Sequence, residues 1–189
     1  MLGGCTPSKR RWRSLYKRPA KNRSSDLQWR IVHGAIATNR YISKIDPGSS
    51  ELCPFCPKTE TTEHLFMECH RLCNMFNFIG LLFQKLGKKF SFIDFIYGPP
   101  YTVKDRAVHV LLNFMSGQAK LATWLSRKRM IKDGISDDVV VVMKRLIQTR
   151  LKIEFEYHKV TNKLERFIEE WCVEGALATV EGDKLIFTF

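Results

Sequence analysis

The chain has 189 residues, 44% of them hydrophobic, and 31 Lys and Arg against 19 Asp and Glu give a formal net charge of +12. That length suits one core with a small appended module, and so large a cationic excess points to a polyanionic partner, nucleic acid first. The longest uninterrupted apolar run, Val139–Met143, is far short of the roughly 20 residues a bilayer span needs, and neither a signal peptide nor a myristoylation site at Gly3-Gly4 is expected.

The first 23 residues hold Lys9, Arg10, Arg11, Arg13, Lys17, Arg18, Lys21 and Arg23 and no acid, which is two thirds of the net charge. With Ser, Pro and Asn scattered among them they read as a basic flexible arm, residues 1–23, interleaved with Trp12, Leu15 and Tyr16. Trp12 and Tyr16 can stack on unpaired bases while the cations neutralise phosphates; alternatively Trp12 and Leu15 dock the arm on the core. A helix is expected from Ser24 or Ser25, with rows Leu27/Ile31/Ala35 and Val32/Ile36 carrying it to Tyr41 or Ile42. Asp46-Pro47-Gly48-Ser49-Ser50 breaks it.

A cysteine-rich segment follows over 53–69, then an apolar-periodic stretch from Leu65 to Leu86, closed by Gly87. Phe90 to Tyr97 is a short aromatic piece ended by Gly98-Pro99-Pro100. A long helix is expected over 103–130, stopped by Asp133-Gly134. Another begins after Ser136 and runs toward Tyr157, and a further one covers Thr161 to Trp171. Leu177–Val180 and Leu185–Phe189, flanking Gly182-Asp183, read as a terminal hairpin. The expected fold is therefore mainly α: a helical module over 24–100 with a small CCHC knuckle at Cys53, Cys56, His64 and Cys69, and a helical C-terminal region over 101–189 with a short C-terminal β-hairpin.

Six cysteines could suggest disulfides, but Cys53, Cys56, Cys69 and Cys73 cluster within 21 positions around a histidine, which reads as a metal site in a reducing compartment. The pattern Cys53-x2-Cys56-x7-His64-x4-Cys69 supplies two thiolates from a tight knuckle and a His/Cys pair from the start of a helix, the donor set of a tetrahedral zinc (Zn2+) site. Four protein ligands leave no position for a reacting water, so the expected role is structural. His70 and Cys73 are neighbours that could take the place of His64 or Cys69. Beyond the arm, Arg30 and Arg40 with Lys44 form a second basic group, and Lys120, Arg127, Lys128, Arg129 and Lys132 at the end of the long helix a third. Such a cationic helix end also suits the helix dipole.

The run Leu27-Gln28-Trp29-Arg30-Ile31-Val32-His33-Gly34, then Asn39-Arg40, Cys53-Pro54-Phe55-Cys56, Glu60, Glu63-His64-Leu65-Phe66 and Cys69 resembles the reverse-transcriptase zinc-binding domain that follows the polymerase of LINE-type (non-LTR) retrotransposons. Leu112-Asn113-Phe114, Gln118-Ala119-Lys120 and Trp124-Leu125-Ser126-Arg127-Lys128 are similar to the C-terminal tails of its vertebrate members. The resemblance implies zinc-ligand roles for Cys53, Cys56, His64 and Cys69, packing roles for Trp29 and His33, and nothing catalytic. It also implies binding of element RNA, target DNA or both, other parts of the retrotransposon polyprotein as further partners, and a nuclear or cytoplasmic setting.

No polymerase chemistry is expected of Asp137-Asp138, which sits where two acids suit a helix N-terminus. His33, His109 and His158 are expected to be structural. Glu165, Glu169, Glu170, Glu174, Glu181 and Asp183 make the C-terminal end acidic, a surface for facing away from nucleic acid or for meeting another protein. The competing reading of the whole chain is a zinc-stabilised protein-interaction adaptor derived from a retroelement.

Overall fold

The computed structural model describes residues 22–99 and 104–189. The basic arm lies almost wholly outside them, so Lys9, Arg10, Arg11, Trp12, Arg13, Lys17 and Arg18 have no structural account. The first helix, α1 (Asn22–Val32), is shorter than its apolar rows suggest. Gly34, at φ +64°, ends it: Ala35 N–H donates to Arg30 C=O at 2.8 Å and Gly34 N–H to Ile31 C=O at 3.2 Å. This is a Schellman closure, which needs a left-handed residue that glycine adopts without strain. The expected continuation to Tyr41 becomes a separate single turn, α2 (Asn39–Ser43), capped by the Thr38 hydroxyl.

Past the cysteine segment run α3 (Cys73–Lys85), closed in the same way at Gly87, and the short α4 (Phe92–Tyr97), capped by Ser91. Their aromatic side chains form one cluster in which Phe76 meets Phe92 and Phe95 edge-on, with ring centres 5.1 and 5.4 Å apart. The long helix α5 (Arg106–Asp133) has 28 residues, about 42 Å at 1.5 Å per residue. It is the beam of the fold: α1, α3, α4, α6 and α7 all pack on it. A helix so widely flanked has no single apolar stripe, and Leu111, Met115, Ala119 and Ala122 are each fully buried.

The next helix, α6 (Val139–Val160), presents Val139, Met143, Ile147, Leu151 and Phe155 at four-residue intervals to the core, and Asp138 caps it through Val140 N–H at 2.7 Å. Asp138 thus serves the helix entrance read from sequence. Its neighbour α7 (Leu164–Trp171) buries Phe167 against Phe155 and sets Trp171 edge-on to Phe114, ring centres 5.0 Å apart. Strands β1 (Ala178–Glu181) and β2 (Lys184–Phe187) pair antiparallel around Gly182-Asp183, with Glu181 opposite Lys184. The hairpin lies against α6 and α7. No helix among the described residues is long and apolar enough to cross a membrane.

Candidate metal centre

A small hairpin presents the first two thiols. Leu52 bridges Thr59, Cys53 N–H donates to Lys58 C=O at 2.8 Å and Glu60 N–H to Glu51 C=O at 2.9 Å. These bonds pinch Cys53-Pro54-Phe55-Cys56 into a knuckle in which the Phe55 backbone N–H favours the Cys53 thiolate.

The other pair poses a spacing problem. Residues five apart on an α-helix point about 140° away from one another, so His64 and Cys69 could not serve one ion. The chain solves this with a wider π-type turn over His64–Glu68, in which Cys69 N–H reaches back to His64 C=O at 2.9 Å. The Thr61 hydroxyl starts the turn by accepting from His64 N–H at 2.9 Å, and Leu65 and Phe66, both fully buried, root it in the core. Cys69 then leaves the helix with extended backbone.

Donor atoms of Cys53, Cys56, His64 and Cys69 consequently lie within 4.8 Å of one another, and His64 Nε2 is 3.3 Å from Cys56 Sγ. A tetrahedral Cys3His zinc site requires donor separations of about 3.5–3.8 Å, given bonds near 2.3 Å to sulfur and 2.0–2.1 Å to nitrogen. Small side-chain adjustments close that gap. The residues fit the ion chemically as well. Burial pushes the Cys53 thiol up to about 12 and raises Cys69, so thiolates there need a cation; burial holds His64 below its ordinary value, in the neutral form that binds metal. His70 and Cys73, the neighbouring alternatives, are exposed and stand outside the cluster.

Behind the knuckle lies a buried polar network that the sequence reading did not find. Glu60, 0% exposed, accepts from Arg127 Nε at 2.7 Å and Nη2 at 2.6 Å, and from Asn39 N–H at 2.6 Å. Asn39 accepts from Arg127 at 3.0 Å and donates to Leu52 C=O at 2.6 Å. One guanidinium on α5 thereby ties α2 to the zinc hairpin.

The expected basic cluster on α5 is accordingly revised. Arg127 is buried in that network, and Lys120 is buried with Nζ donating to Gln28 and, at 2.8 Å, to Phe95 C=O. Neither reaches the surface. Lys128 and Arg129 do, Arg129 paired with Asp137 at 2.7 Å, and so do Lys132, Arg40 and Lys44. Arg30 is exposed and paired with Asp26 at 3.0 Å. Trp29 and His33, for which the resemblance implied packing, stack on each other at 4.4 Å on the exposed face of α1, with Trp29 48% exposed.

Residues 2–75 match a family described as zinc-binding in reverse transcriptase. The chain is also 28% identical over 172 residues to the transposon TX1 uncharacterized 149 kDa protein of Xenopus laevis, a match covering 91% of this chain and 13% of that protein. The chain thus spans a small fraction of that relative's length. No solved structure matches it.

Proposed function

We propose that this reverse-transcriptase zinc-binding domain, with the helices behind it, is a non-catalytic module that holds nucleic acid for a retrotransposon polyprotein, the element RNA, the target DNA or both, in an intracellular ribonucleoprotein. The observation that carries the reading is the Arg127–Asn39 tether: it joins α2, which bears exposed Arg40 and Lys44, to the end of α5, which bears exposed Lys128 and Lys132. Two basic groups 88 residues apart in sequence at their point of contact are thus held on adjoining elements, on a framework that the zinc hairpin completes. The eight cations of the arm add a sequence-independent hold on phosphates. The Trp29–His33 stack gives a flat aromatic surface of the kind on which unpaired bases lie.

Fluorescence anisotropy of the zinc-loaded protein with an RNA stem-loop, single-stranded RNA and duplex DNA, across a salt series, tests the proposal. Sub-micromolar binding at near-physiological salt supports it, and RNA binding clearly above duplex DNA assigns it to the template. Weak, charge-driven background for all three refutes it. A second reading, a protein-docking adaptor, draws on the exposed Ile153, Tyr157 and Ile168 on α6 and α7 beside acidic Glu165 and Glu169. That reading gains if the same experiment fails.

A further inference from the structure

Arg71 stands two residues beyond the last metal ligand, and its charge has no ordinary explanation. Nε, Nη1 and Nη2 are all buried from solvent, and none has a hydrogen-bond partner among the described residues. Buried guanidinium groups are almost always paired, because an unpaired one forfeits its hydration for nothing. Arg71 instead lies flat on the knuckle, with Cζ 3.5 Å from the centre of the Phe55 ring. Its backbone N–H favours the Cys69 thiolate, as Phe55 N–H favours that of Cys53. No carboxylate among the described residues bonds it. Glu60 is already matched by Arg127.

The charge count then has one gap and one candidate to fill it. When Zn2+ binds, three thiols each lose a proton to solvent and the neutral imidazole keeps its own. The resulting centre, three thiolates and one divalent ion, carries a formal charge of −1 in a mostly buried setting. We propose that Arg71 is the built-in counter-charge of the zinc centre, its guanidinium lying on the knuckle and making the Cys3His site electroneutral. The inference rests on zinc occupying the four-residue cluster. It explains at once why the guanidinium is buried, why it has no carboxylate partner, and why it stacks on the one aromatic residue inside the Cys-x2-Cys loop. Outer-shell groups of this kind change metal affinity by about 10–100-fold.

The test uses the full chain as wild type, R71M and R71K, with zinc affinity measured by chelator competition and zinc-bound thiol reactivity by alkylation rate. R71M is expected to lose about 10–100-fold in affinity and to alkylate faster, because uncompensated thiolates are better nucleophiles. R71K, which keeps the charge but not the flat stacking surface, is expected to recover most of both. R71M binding zinc as tightly as wild type, or R71K failing as badly as R71M, overturns the proposal in favour of packing alone. Should R71M not fold, the wild-type protein loaded with NMR-active cadmium decides. Slowed solvent exchange of the Arg71 side-chain N–H protons on metal loading supports the proposal, and rapid exchange that the metal leaves unchanged overturns it. A wild-type protein that binds neither metal removes the metal site itself, and this inference with it.

Discussion

Truncating Arg127 to methionine is the sharpest perturbation of the framework. The side chains of Glu60 and Arg127 are 0% and 4% exposed and joined at 2.6 Å. R127M keeps the volume and removes the charge, so the Glu60 carboxylate stays buried with only Asn39 N–H to satisfy it. Breaking one side of such a pair costs about 3–5 kcal/mol. For a chain of this size each kcal/mol lowers Tm by roughly 2–4 °C, so the expected loss is about 6–20 °C. The double variant E60M/R127M removes the stranded charge and should recover much of that. It should remain about 1–3 kcal/mol below wild type, because Asn39 then loses its acceptor. Urea and thermal unfolding of zinc-loaded wild type, R127M, E60M and the double variant complete the cycle. If R127M costs under about 1 kcal/mol, or if the two single losses simply add, the pair is not the buried tether described above. Had Arg127 been a phosphate contact, R127M would leave Tm alone and flatten the salt dependence of binding.

Chelating zinc, or replacing His64 by Ala, should remove on the order of 10–16 kcal/mol of coupled binding and folding free energy; circular dichroism and proteolysis should show residues 51–72 opening, and unchanged protection there would count against a structural metal. Lys120, whose pKa burial lowers to about 7, is more protonated unfolded than folded between about pH 7 and 10.5, so its linkage makes stability rise with pH across that window; the effect should vanish in K120M and appear in full as a pH-dependent difference between wild type and K120M measured by urea unfolding. Gly34→Ala meets no atom within 4 Å but must hold φ near +64°, so about 1–2 kcal/mol should be lost without loss of zinc. Replacing Arg40 and Lys128 by Gln should flatten the slope of log affinity against log salt by about 1.4 on single strands or 1.8 on duplex DNA, and an unchanged slope would take these residues out of the interface.

The metal ligands were legible because their chemistry is local: four donors within 17 residues, at spacings that only a knuckle and a helical turn can reconcile. The π-type turn was not, since His64-x4-Cys69 reads as a plain helix start until the direction of both side chains is demanded. Helix order and the terminal hairpin were visible in apolar periodicity and turn residues. The end of α1 was missed because Ala35 and Ile36 continue the apolar rows past Gly34, and periodicity does not register a left-handed residue. Lys120 and Arg127 sit in a basic run at the end of a helix, which reads as an exposed, nucleic-acid-facing cluster because basic residues are ordinarily exposed. Their partners Gln28 and Glu60 lie 92 and 67 residues away, and nothing local announces a pairing at that range.

The same separation orders events while the chain is being made. All four zinc ligands have been synthesised by residue 69, so the ion can be captured early, with Glu60 still in water. The carboxylate enters the interior only when Arg127 emerges 67 residues later. Between those moments the nascent chain has all four candidate ligands but no beam for them or for its Phe-rich flank to dock on. Synthesis of α5 closes that interval and supplies Arg127, the partner Glu60 needs before it can be buried.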